Sequence, residues 1–243
     1  MPTLPRCFAP TAAASKVVTV SRDEAHHLTR VLRLRPGDGV GLFDGVGGEW
    51  VGMLKSVSPN VTVEIVDAAI PAPEPDVRVT LAIGVLKGAQ MDVVVRDATM
   101  LGVFAIAPMA TRHVSIARRG APGGGALQRW QRVALASTRQ CGRAVIPAVS
   151  PIVPFESVLA ETHAEAILMG VEPDRLGDYP LLDAGPKKPT ALVLIGPEGG
   201  WADGEIEMAV TRGARLVQLG PRTLRAEAAP IVALSSLWTQ WGW

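Results

Sequence analysis

The sequence predicts a mixed α/β protein in two parts, a small β-barrel followed by an α/β domain with a mostly parallel sheet. Three observations predict it. Residues 1 to 70 hold short β-branched or alternating segments separated by turn residues. From residue 77 onward, nearly continuous apolar runs alternate with helical patterns, as strands buried on both faces require. Between the two, "PAPEPD" (71–76) carries three prolines in six residues and reads as a linker. The boundary is drawn inside it, giving parts 1–72 and 73–243.

In the first part, "KVVTV" (16–20), "GVGLFDG" (39–45), "EWVGML" (49–54) and "VTVEIV" (61–66) read as strands. The stretch "RDEAHHLTRVLRLRPGD" (22–38) places Ala25, Leu28, Val31 and Leu32 at helical spacing and ends in turn chemistry at Arg35-Pro36-Gly37-Asp38. Strands around one short helix suggest a small barrel. In the second part, "VRVTLAIGVL" (77–86) is a strand and a helix follows near 88–101. Next come "FAIAPMAT" (104–111) as a strand and "GGGALQRWQRVALASTRQCG" (123–142) as a glycine-led helix. "AEAILMG" (164–170), "TALVLIG" (190–196) and "ARLVQLG" (214–220) are short apolar strands ending at glycine. Strand–helix alternation of this kind means a parallel sheet. The chain shows no repeat at fixed period and no low-complexity tract beyond "GAPGGG" (120–125).

The formal net charge is only +1. Its distribution says more. No acidic residue lies between Asp97 and Glu156, an interval holding Arg112, Arg118, Arg119, Arg129, Arg132, Arg139 and Arg143. Such a one-signed block suits a phosphate-bearing partner. It equally suits a solvated helix face in a chain that uses 19 arginines and 5 lysines. Cys7 and Cys141 give neither a disulfide framework nor zinc spacing, and the four histidines show no ligand pattern, so no metal is expected. "MPTLPRCFAP" lacks a hydrophobic signal core, and no apolar run approaches the roughly 20 residues that span a bilayer. A soluble, cytoplasmic protein without membrane contact is expected.

In open α/β sheets, ligands bind at the carboxyl ends of strands. Gly84, Gly196 and Gly220 mark three such ends. In "LVLIGPEGGWADGEIEMA" (192–209) the glycines allow close backbone approach to a ligand, Pro197 stiffens the turn and Asp203 can cap the following helix. A pocket of bare backbone suits a flat heterocycle, although a tight turn without ligand fits the same residues. The segment is neither G-x-G-x-x-G nor a P-loop. In "LGPRTLRAEAAPIVALSSL" (219–237), Arg222, Arg225 and Glu227 precede Pro230 and a helix with apolar Ile231, Leu234 and Leu237. Two arginines and a carboxylate at a helix start can hold a phosphate and handle a proton, or form an ordinary ion-paired helix entry.

At these residues the chain resembles the bacterial 16S ribosomal RNA uridine-N3 methyltransferases, the RsmE family within the SPOUT class of S-adenosylmethionine enzymes. "LIGPEGGW" (194–201) and "LGPRTLRAEAA" (219–229) carry the resemblance, together with "HHLTRVLRLRPGD" (26–38), "LFDG" (42–45), "LKGAQMD" (86–92), "LGVFAIAP" (101–108) and "RQCGRAVIP" (139–147). It covers the whole chain. The resemblance implies a PUA-like RNA-binding barrel, then an α/β domain with a deep trefoil knot, in a homodimer with active sites near the subunit interface. It implies S-adenosyl-L-methionine as methyl donor, S-adenosyl-L-homocysteine as product, and 16S rRNA or the assembled small subunit as partner. The cofactor would be gripped by Leu194, Ile195, Gly196, Pro197, Glu198, Gly199 and Gly200, and by Leu219, Gly220, Leu224, Ala226 and Ala228. Met169 and Gly170 would join from a third strand end. RNA contacts would come from Arg6, Arg30, Arg33 and Arg35 in the barrel, with Arg112 and Arg143 from the basic block.

Some positions depart from the family pattern. A family Lys is Asp97, and a family Glu is Arg139, which suggests an ion pair with exchanged charges between these two residues. Met100 replaces a glutamate. Ala226 and Ala228 stand where threonines flank Glu227, removing two hydroxyls that could hydrogen-bond to cofactor or substrate. Methylating uracil N3 requires removal of an imide proton while nitrogen attacks the methyl. Arg222 and Arg225 are read as electrostatic catalysts and Glu227 as a positioning group, with Glu198 accepting backbone N–H bonds within its own turn. Two other readings stay open, a weakened RNA-binding member of the same fold and a related methyltransferase on another RNA.

Overall fold

A computed structural model describes residues 4–113, 125–173 and 181–242. Arg118, Arg119 and most of the glycine tract lie outside the described residues. The chain divides into two units, Met1–Glu74 with Leu135–Ile146, and Pro75–Ala134 with Pro147–Trp243.

The first unit is a five-stranded sheet in the order β1 (Arg6–Phe8), β3 (Gly39–Phe43), β4 (Glu49–Ser56), β5 (Thr62–Ala68), β2 (Val17–Thr19). Register breaks between Val51 and Gly52, and between Leu54 and Ser56, bend β4 against β5 and help the sheet curl. Its inner face buries Cys7, Val18, Leu28, Val40, Leu42, Leu54 and Val63. Strand β1 is three residues long, too short to show alternation, and pairs parallel with β3.

The helix of this unit departs from the expected periodicity. Helix α1 (Arg22–His26) starts at Ser21, whose hydroxyl accepts the Glu24 N–H at 3.3 Å. His27–Val31 then widens into a π-helical turn, and the Leu32 N–H reaches back five residues to the His27 carbonyl at 2.9 Å. The extra residue rotates the following side chains. Leu28 stays fully buried, but Val31 and Leu32, expected on the core face, are 58% and 39% exposed.

Several charges assigned to RNA or to each other are internal instead. Arg6 pairs with Glu49 at 3.0 Å, donates to the carbonyls of Thr138 and Arg143 at 3.1 and 2.9 Å, and covers the Phe43 ring. Arg143 is buried and donates to Glu74 at 3.0 Å. Both are struts within the first unit and present little surface to a phosphate. Of the two residues expected to pair with exchanged charges, Arg139 meets buried Glu24 within the first unit, and Asp97 meets its neighbour Arg96 at 2.6 Å within the second.

Burial pushes the Cys7 thiol far up, and the Glu24 carboxylate adds to the effect. The thiolate is the reactive form. Alkylation of the native protein at neutral pH is therefore expected to label half-buried Cys141 and spare Cys7 until the chain unfolds. Peptide mass spectrometry of the labelled protein checks this, and labelling of Cys7 at the Cys141 rate contradicts it.

The second unit holds a seven-stranded sheet. The order is β12 (Arg215–Val217), β10 (Ala166–Gly170), β11 (Thr190–Ile195), β6 (Arg78–Gly84), β7 (Ala105–Ala110), β8 (Ala148–Val149), with β9 (Val153–Pro154) also on β7. Every pairing is parallel. The helices are α2 (Gln90–Met100), α4 (Phe155–Glu161), α5 (Asp203–Thr211) and α6 (Ala229–Trp241), with α3 (Gly125–Cys141) as far as Ala134, its remainder belonging to the first unit. Strand β11 is buried along all but its first residue, as its unbroken apolar run requires. The two-residue strands β8 and β9 carry no readable sequence pattern. Among the described residues, no helix is long and apolar enough to cross a membrane. The strand order sets the carboxyl ends of β12, β10, β11 and β6 side by side, and the site is built on them.

Candidate active site

Strand β11 delivers Gly196 and Pro197 to the edge of the sheet. Gly84, at the end of neighbouring β6, faces Pro197 so closely that a Cβ there would lie 2.7 Å from the proline nitrogen and Cδ. Only glycine lets these two strand ends abut. The turn closes at Gly200, whose φ of +67° is left-handed and whose missing Cβ leaves room for the Glu172 carboxylate. Trp201 follows. It is fully buried, packs on Phe155 with ring centroids 5.3 Å apart, and donates its indole N–H to the Gly170 carbonyl at 2.8 Å. That bond ties the β11 turn to the end of β10.

The N-cap of helix α5 is Ala202, and Asp203, expected as the cap, is its first helical residue. Glu205 does the capping. Its buried carboxylate accepts the Ala202 and Arg112 N–H groups, both at 2.9 Å. Glu198 does not satisfy its own turn. It accepts the Lys87 N–H at 3.1 Å and so joins the β11 turn to the β6–α2 loop.

The β12 loop supplies the remaining wall. The Arg225 carbonyl accepts the N–H groups of Ala228 and Ala229 at 2.9 and 3.1 Å, and Pro230 sits in the first turn of α6, where a missing N–H is harmless. Glu227 Oε2 accepts the Gln90 amide at 3.2 Å, and Glu227 Oε1 lies 4.0 Å from Arg225 Nη1. The Glu227 side chain is 21% exposed and that of Arg225 87%.

These loops enclose a cavity of about 400 Å³, within the range of small-molecule sites. Of the sequence-predicted residues, Gly170, Ile195, Gly196, Pro197, Glu198, Leu219, Gly220, Leu224 and Ala226 form its wall, with Arg222, Arg225 and Glu227. Met169 and Leu194 are fully buried in the sheet behind it. Gly199, Gly200 and Ala228 are off the wall; Gly199 faces His113, whose Nδ1 lies 2.9 Å from the Gly199 carbonyl. The wall also holds Thr223, inside the 219–228 stretch already singled out, and Gln90, Val171, Glu172, Pro173 and Ala229, which sequence reasoning missed. Val171 to Pro173 simply extend the β10 end already singled out at Met169-Gly170. Gln90 lies in the "LKGAQMD" stretch, but its pairing with Glu227 was unreadable because the two are 137 positions apart.

The arrangement suits a flat, partly polar molecule. Main-chain groups from three adjacent strand ends can read the edge of a heterocycle, and two exposed arginines beside a held carboxylate can face developing negative charge. Among the described residues, no group of three metal-ligating side chains occurs. Of the proposed RNA contacts, Arg30, Arg33 and Arg35 are exposed in the first unit and Arg112 in the second. Arg33 has a left-handed φ of 58°.

Comparison with known proteins agrees with this architecture. An RNA methyltransferase domain family matches residues 73–238, and an RNA methyltransferase PUA domain family matches residues 20–66. The chain is 34% identical over 233 residues to ribosomal RNA small subunit methyltransferase E of Synechocystis, covering 94% of this chain and 75% of that protein. It is 26% identical to the Bacillus subtilis protein of the same name, covering 90% and 88%. Among solved structures, the Legionella pneumophila protein Lpg2936, in complex with bound S-adenosylmethionine, matches with a TM-score of 0.87 at 26% identity over 98% of both chains. Ribosomal RNA small subunit methyltransferase E of Neisseria gonorrhoeae, bound to S-adenosylmethionine, matches with a TM-score of 0.83 at 29% identity, again over 98% of both.

Proposed function

Since the chain belongs to the RNA methyltransferase family that includes ribosomal RNA small subunit methyltransferase E, we propose that it methylates N3 of one uridine in 16S ribosomal RNA. The coarser activity, S-adenosylmethionine-dependent methylation of ribosomal RNA, follows from the family. The observation that supports the finer reading is the cavity wall, where a carboxylate fixed by an amide stands beside two arginines at the mouth of a backbone-lined pocket.

The residues present fit the cofactor. Glycine-terminated strand ends leave main-chain N–H and C=O groups bare where a purine edge can be read, and Ile195, Leu219 and Leu224 offer apolar contact to its faces. When bound, S-adenosyl-L-methionine supplies an electrophilic methyl group and leaves as S-adenosyl-L-homocysteine. The chain's own residues do the rest. Holding the base in line with the methyl group is worth up to about 7–11 kcal/mol in favourable cases. Glu227 accepts the N3–H hydrogen bond and orients the ring. Arg222 and Arg225 stabilise the negative charge that builds on the uracil oxygens as the N3 proton leaves along the Glu227 hydrogen bond and passes to solvent. N3 lies on the pairing edge, so the target base must be unpaired or flipped out. Arg30, Arg33, Arg35 and Arg112 serve as phosphate contacts, and the functional unit is a cytoplasmic homodimer.

The test is methylation of small ribosomal subunits, and of naked 16S rRNA, from cells lacking this modification. The expected product is a single N3-methyluridine, mapped by mass spectrometry. A methyl group on another atom or another RNA overturns the assignment. Cofactor binding by calorimetry without any turnover instead supports the weakened-member reading, for which Ala226 and Ala228 beside Glu227 are the motive.

A further inference from the structure

The geometry points to Gln90 as a positioning residue for the transfer step. This rests on the reading of Glu227 as part of the reacting site. Gln90 is the first residue of α2, half-buried, and its side chain lines the cavity. A carboxylate can only accept hydrogen bonds, so the amide must present its NH₂ to Glu227 Oε2, 3.2 Å away. This bond fixes one carboxylate oxygen and leaves Oε1, with Arg225 4.0 Å distant, for a substrate hydrogen. Glu227 sits in the loop leading into α6, and Arg225, 87% exposed and 4.0 Å away, is too weak a partner to orient it alone.

The loop that carries Gln90 is built for this. Three residues upstream, the Lys87 N–H holds Glu198, so one short segment grips both carboxylates that the β11 and β12 loops bring to the cavity. The segment turns at Gly88, whose φ is +58°. The first turn of α2 is anchored in turn by the Arg129–Asp92 ion pair at 3.0 Å. Gln90 therefore connects the sheet-end loop of β6 to the catalytic loop of β12, and through Lys87 to that of β11. The other charged groups on this wall are Glu172, Glu198 and Arg222.

The experiment compares Gln90→Leu, Gln90→Glu and Glu227→Gln with the parent chain in steady-state methylation of small subunits, across a pH series. Gln90→Leu is expected to lower kcat about tenfold while both KM values stay within about twofold, because a misoriented carboxylate is felt in the transition state and not in ground-state binding. Gln90→Glu is nearly isosteric. At high pH it opposes two carboxylates, and at low pH a protonated carboxyl can again donate to Glu227. Its deficit relative to the parent should therefore shrink as pH falls, while that of Gln90→Leu stays flat. A purely structural role gives no such difference. The inference is overturned if Gln90→Leu retains parental kcat, if its loss lies wholly in KM or thermal stability, or if the two Gln90 variants share one flat deficit. Glu227→Gln separates the layers. Impaired Glu227→Gln with normal Gln90→Leu removes only the role of Gln90; unimpaired Glu227→Gln removes the reading of Glu227 and this inference with it.

Discussion

Trp201→Ala is expected to lower the stability of the second unit by about 3–5 kcal/mol, the range for truncating a large buried aromatic. Trp201 is fully buried and packs on Phe155, within a core that also holds Met109, Leu159, Met169 and Leu194. Its removal leaves a void under the turn that carries Gly196 to Gly200, and frees the Gly170 carbonyl of its donor. Trp201→Phe dissects the two contributions. It keeps a ring against Phe155 and loses the indole N–H. The lost hydrogen bond is worth about 1 kcal/mol, which if expressed in ligand binding is roughly a fivefold weaker Kd for S-adenosylmethionine. Chemical denaturation and calorimetric titration measure the two quantities. A Trp201→Ala protein with parental stability shows that the turn is held from elsewhere.

Arg222→Ala is expected to lower kcat by about 100- to 1,000-fold, the usual effect of removing one group aimed at developing charge. Arg222 lines the cavity in the loop that also brings Glu227 to its wall. If it only clamps phosphate, the loss moves to KM for RNA and shrinks with added salt, because the variant releases about one counterion fewer on binding. Single-turnover rates at saturating RNA distinguish the two. Arg225→Ala should be milder, since that side chain is 87% exposed and loosely engaged. Unchanged turnover in Arg222→Ala refutes its catalytic assignment.

Much of the fold was legible in the chain. The run of β11 and the glycines that close β6, β10 and β11 signalled buried parallel strands with a site at their carboxyl ends, and the cavity lies there. What escaped was whatever depended on partners distant in sequence. Glu198 looked self-sufficient, yet its donor is Lys87. Asp203 looked like the cap of α5, yet Glu205 reaches back to fill that role. Val31 and Leu32 fitted a helical repeat, but a single inserted residue turned them outward. Period-based reasoning assumes 3.6 residues per turn, and a π-helical turn breaks that assumption locally.

Charge was the least transparent quantity. Arginine residues advertise affinity for phosphate in a sequence, but Arg6, Arg139 and Arg143 each meet a carboxylate inside the first unit. A cation already neutralised internally carries no ion atmosphere to exchange with a polyanion. It therefore adds little to the entropy of counterion release that drives association with RNA. Of the four arginines proposed as RNA contacts in the first unit's barrel, Arg30, Arg33 and Arg35 are the ones left facing water, at the end of one short helix. The field of these three side chains fades over about a Debye length, so its reach is set by the ionic strength of the surroundings.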